Sequence, residues 1–64
     1  MSYTHALGFL EGKLNEERNF IIENLIQGKL DEPEYKRLCG ALQGLDLAIS
    51  HIKDLAKRME RDDE

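Results

Sequence analysis

Residues 35–59, YKRLCGALQGLDLAISHIKDLAKRM, carry the pattern that decides the fold. Tyr35, Leu38, Leu42, Leu45, Ile49, Ile52, Ala56 and Met59 are spaced by threes and fours without a break. That is a heptad seam, with Tyr35, Leu42, Ile49 and Ala56 at a and Leu38, Leu45, Ile52 and Met59 at d. Ala41, Ala48 and Leu55 add a second row at g and widen the seam into a broad apolar face. A face that wide is suited to more than one neighbouring helix, so these eight seam residues are the candidate oligomer seam.

The link before the seam predicts how a second helix meets it. Gly28 fits the left-handed position that ends a helix. Asp31 and Glu34 form an acidic version of a capping box, Leu30 and Tyr35 take the staple positions around it, and Pro33 falls in the first turn, where its missing N–H is harmless. Upstream, Tyr3, Leu7, Leu10, Leu14, Ile21 and Leu25 fall on one stripe at helical spacing, with Ser2 or Thr4 as the N-cap. The prediction is an all-α chain: an antiparallel two-helix hairpin forming one domain over residues 1–64. Its helices span about 4–27 and 32–61, its turn 28–31, and its acidic, fraying tail 62–64.

The first helix is apolar on several sides. Phe9 and Phe20 share a second face, and Ile22 and Ile26 lie on a third. Glu17 and Arg18 interrupt its main stripe, and Lys13 is placed to pair with Glu17 one turn on. Gly8 and Gly12, and again Gly40 and Gly44, stand four apart. Each glycine inside a helix costs about 1 kcal/mol relative to alanine. Paired at that spacing they offer a shallow groove for another backbone, or they mark local bending. Phe9, Phe20 and these four glycines are the candidate partner-binding residues.

Size and charge narrow the function. At 64 residues a lone copy would bury only about 60% of its unfolded surface, so association is expected to complete the core, most simply as a dimeric four-helix bundle or a higher oligomer. One cysteine excludes an internal disulfide. Cys39 lies beside the seam as a small apolar side chain. His5 and His51 have no second His or Cys one turn away, so neither metal nor cofactor is expected. His51 and Asp54 are better read as a solvated pair. No strand, glycine-rich phosphate loop or catalytic constellation is present, and the expectation is a non-enzyme. A net charge of −4 argues against nucleic acid as a partner. Lys53, Lys57, Arg58 and Arg61 concentrate the positive charge in the last turns of the second helix. There they complement the helix dipole or, alternatively, bind an anion. No apolar run is long enough to span a membrane, the N-terminus lacks the regions of a signal peptide, and the unpaired cysteine fits a reducing cytoplasm.

Two resemblances add to this. Tyr35-Lys36-Arg37-Leu38, Gly40, Leu42-Gln43-Gly44-Leu45 and Ala48-Ile49, about a third of the chain, resemble a pattern in small helical proteins of tailed bacteriophages. That resemblance implies an accessory phage protein, located in the host cytoplasm or the virion. The hairpin architecture with its acidic tail is similar to Rop-like hairpins, which pair into four-helix bundles and bind RNA. Their basic RNA-contacting face has no counterpart here, and no binding residue is carried across. The expected function is protein–protein binding, as a virion component or an inhibitor of a host or defence factor, with the chain itself as a further partner. The alternative is an oligomer that sequesters a nucleotide or RNA between subunits, lined by the cationic patch.

Overall fold

The computed structural model describes residues 3–62, which form two α-helices, α1 (Tyr3–Gln27) and α2 (Glu32–Asp62), packed as a hairpin 50 Å long. The turn forms for the reasons its residues suggest. Gly28 has φ 68°, the left-handed conformation that costs glycine nothing, and its N–H donates to the Leu25 carbonyl at 3.2 Å. Asp31 then caps α2: its Oδ1 accepts the Glu34 N–H at 3.0 Å, while its carbonyl accepts the Tyr35 N–H at 2.9 Å. Glu32 and Glu34 occupy the first turn, where negative charge suits the positive end of the helix dipole.

The seam of α2 faces α1. Ile49 is buried, and Leu38, Leu42, Leu45, Ile52, Ala56 and Met59 are half-buried along the same side. Tyr35, in the first turn of α2, is exposed. From α1 the matching side consists of two rows seven residues apart. Leu7, Leu14 and Ile21 form one, and Thr4, Glu11, Arg18 and Leu25 the other; Ile21 is buried and the rest are half-buried. Ile21 and Ile49, one from each helix, are the only buried hydrophobic side chains among the described residues.

Three expectations are corrected. Tyr3 and Leu10 do not belong to the inner stripe of α1; both are exposed, because each stands one residue, about 100° of turn, before the half-buried Thr4 and Glu11. Thr4 lies inside the helix and does not cap it, while Ser2 lies outside the described residues. Asp62 is still helical, so the proposed tail reduces to Asp63 and Glu64, which also lie outside them.

Candidate interaction site

Arg18 bridges the two helices. It occupies an inner position of α1, yet its guanidinium need not be desolvated, because α2 answers it. Arg18 Nε donates to Asp46 Oδ1 at 2.6 Å, between side chains that remain partly exposed.

The hairpin has two unlike broad sides. On one, Asn15, Arg18, Asp46, Ile49, Ser50, Lys53, Asp54 and Lys57 line an open cleft of about 650 Å³. The cleft gathers Lys53 and Lys57 with Arg18, which the sequence had not linked to them. Arg58 instead pairs with Asp54 at 3.3 Å, and Arg61 is not in the cleft, so the four-cation patch is divided. Three cations and two carboxylates share the lining, and an anion entering it would meet Asp46 and Asp54 as well. Asp46 is the member that sequence reading missed. Its signal was its e position, beside the seam and facing the charged interruption in α1.

The opposite side carries the g row of α2: Ala48 is half-buried there, and Ala41 and Leu55 are exposed. Beside it runs a row of α1 at seven-residue spacing, Tyr3, Leu10, Glu17 and Asn24. Leu10 and Leu55 are each 46% exposed. The Asn24 amide is turned back along its own helix, donating to the Phe20 carbonyl at 2.8 Å.

A third surface is the outer face of α1. Phe9 is 70% exposed and Phe20 66%, eleven residues or about 16 Å apart along one line of the helix. Lys13 lies between them, with its ammonium 5.8 Å from the Phe9 ring centroid and 3.9 Å from Glu16 Oε2. The expected Lys13–Glu17 pair is therefore replaced by Lys13–Glu16, because leaning toward Phe9 carries the lysine to that side of the helix. Ile22, expected off the stripe, is half-buried, while Ile26 is exposed as predicted. Gly8, Gly12, Gly40 and Gly44 face open space: a Cβ at any of them would meet nothing within 4 Å. Nothing inside the hairpin uses the room they leave. On the outer side of α2 a single leucine, Leu47, stands exposed, outside any periodic row.

Comparison with known protein families, curated proteins and solved structures finds no match for this chain. The functional reading therefore rests on the surfaces themselves. Cys39 is a free, half-buried thiol. Among the described residues no group of three or more His, Cys, Asp or Glu could hold a metal ion, and no helix is long and apolar enough to cross a membrane.

Proposed function

We propose that this chain is a non-enzymatic interaction protein whose hairpins associate, most simply into a dimeric four-helix bundle, and present the outer face of α1 to another protein. The observation that carries this reading is the imbalance of its apolar side chains. Among the described residues two hydrophobic side chains are buried, while Tyr3, Phe9, Leu10, Phe20, Ile26, Tyr35, Leu47 and Leu55 are exposed. A core of two isoleucines is too small to hold a chain of 64 residues folded alone, since small domains bury too little surface to offset their conformational entropy. The resemblance of Tyr35–Ile49 to small phage proteins supports an accessory role in infection, as a virion component or an inhibitor of a host factor.

Phe9 and Phe20 are the residues assigned to that partner. They sit on the side of α1 turned away from α2, where two large rings are a liability without a use. The rival, sequestration of a nucleotide or RNA between subunits, draws support from the three cations of the cleft, but the carboxylates among them leave little net positive charge.

Two measurements test the proposal. Sedimentation equilibrium at micromolar concentration should show association, and the melting temperature should rise with protein concentration. A stable monomer overturns the bundle. In pull-downs from infected cells, the double variant Phe9→Ser, Phe20→Ser should keep its helicity and lose its partner. If capture survives unchanged, the phenylalanine assignment is wrong. Binding that instead weakens steeply with salt and depends on Lys53 and Lys57 favours the rival.

A further inference from the structure

We infer that the cleft between the helices binds the phosphate group of a small phosphate monoester, with Lys53 and Lys57 as its counter-charges. This site is separate from the face bearing Phe9 and Phe20, and it requires neither the partner nor the association proposed above.

The two lysines are placed as no hairpin needs them. They stand one turn apart on α2, where like charges repel each other. The residues three and four away from Lys53 are Ile49, Ser50, Ala56 and Lys57, so no carboxylate of its own helix faces it. Asp54, three residues before Lys57, is taken by Arg58 at 3.3 Å. Among the described residues neither lysine makes an ion pair or a hydrogen bond. The helix dipole does not account for them either. Its effect falls off within the last turn, and in α2, which runs to Asp62, the basic residue of that turn is Arg61.

The rest of the lining adds hydrogen-bond donors from both helices. Arg18 gives its Nε–H to Asp46, which leaves the N–H groups of its two terminal nitrogens for a ligand. The half-buried Asn15 gives one amide N–H to the Glu11 carbonyl at 3.1 Å and keeps the other. Ser50 contributes a hydroxyl. The carboxylates of the lining, Asp46 and Asp54, are each engaged by an arginine. Spare donors and two unanswered positive charges are the complement of a phosphate monoester, which carries about two negative charges and three acceptor oxygens. A carboxylate would leave one lysine unanswered. RNA would lay further phosphates against Asp46 and Asp54. The volume of about 650 Å³ suits a small molecule.

Nuclear magnetic resonance titration of the isotopically labelled full chain tests this, with glycerol phosphate as the probe. Saturable shifts should appear at Asn15, Ser50, Lys53 and Lys57, and glycerol should cause none. Lys53→Gln and Lys57→Gln should each weaken binding several-fold, and the double variant should abolish it. Asp46→Asn removes a carboxylate and releases Arg18, so it should tighten binding several-fold. The Phe9→Ser, Phe20→Ser double variant should bind like the parent, which keeps this site distinct from partner capture. Failure to saturate, shifts centred on Arg58 and Arg61, or parental binding by the double lysine variant overturns the cleft as the site. Sulfate that saturates the same resonances equally tightly marks an adventitious ion only and overturns the phosphate assignment. Tighter binding of an RNA oligonucleotide without terminal phosphates overturns the monoester in favour of a polyanion.

Discussion

The two helices of the hairpin spend their apolar residues differently. α2 is sharply two-faced: its seam points at α1, its outer side is charged, and ion pairs such as Lys36–Glu32 at 3.1 Å brace that outer side along the helix. α1 has no such polarity of faces. It places Glu11 and Arg18 at inner positions and leaves Phe9, Phe20 and Ile26 exposed. Most apolar residues of α2 lie on one broad side, the seam with its g row. The pattern of α1 is that of a helix with contacts on several sides, and under the function proposed above α2 would be the scaffold and α1 the recognition helix.

The strongest way to break this comparison is through the two buried isoleucines. Ile21→Ala and Ile49→Ala should each destabilise the protein by about 2–5 kcal/mol, the usual range for truncating a buried aliphatic side chain. Thermal unfolding followed by circular dichroism measures both. Ile26→Ala and Leu47→Ala, on exposed surface, should stay within about 0.5 kcal/mol of the parent. If Ile26→Ala matched Ile21→Ala, the exposed side of α1 would belong to the oligomer core, and α1 would be no recognition helix.

The start of α2 offers a smaller effect. Asp31→Ala removes the side chain that accepts the Glu34 N–H and should cost about 1 kcal/mol. Asp31→Asn, which still presents an oxygen to that N–H, should recover most of the loss in the same melting experiment.

What could be read from the sequence divides along the same line. The hairpin, its turn and the helix limits were legible because their signals are local: Gly28 for the left-handed exit, Asp31 for the cap, and the unbroken heptads of α2. The inner side of α1 was not. With apolar residues all round, its periodicity names no single face, and Tyr3 and Leu10 were assigned inward although they stand on the flank. The Arg18–Asp46 pairing was also hidden, since its members are far apart in sequence. The candidate interaction surfaces were half legible. Phe9 and Phe20 are exposed as their off-stripe positions predicted, but the cationic patch was read from proximity in sequence. Folding divides it between a cleft and an ion pair on α2.

The glycines sharpen the contrast by gaining stability where most substitutions lose it. Gly8→Ala, Gly12→Ala and Gly40→Ala should each raise stability by roughly 0.5–1 kcal/mol, because alanine is the better helix former and a Cβ there meets only open space. Melting temperatures test the sign. If Gly8→Ala and Gly12→Ala stabilise the protein but abolish capture of its partner, the groove on α1 is a recognition surface alongside Phe9 and Phe20. If they stabilise it and capture persists, the α1 glycines play no part in binding.

The smallest expected effect belongs to the ion pair that bridges the helices. Arg18 and Asp46 are joined at 2.6 Å but remain 36% and 52% exposed, so water screens the pair. A double-mutant cycle over Arg18→Ala and Asp46→Ala should return a coupling of about 0.2–1 kcal/mol, as measured for exposed ion pairs. Raising the salt concentration to about 1 M, where the screening length falls to about 3 Å, should reduce it further. A coupling well above that range would mean the pair is dry in solution. A second subunit or a partner over the cleft would dry it, so this small number is also an independent check on which side of the hairpin stays open.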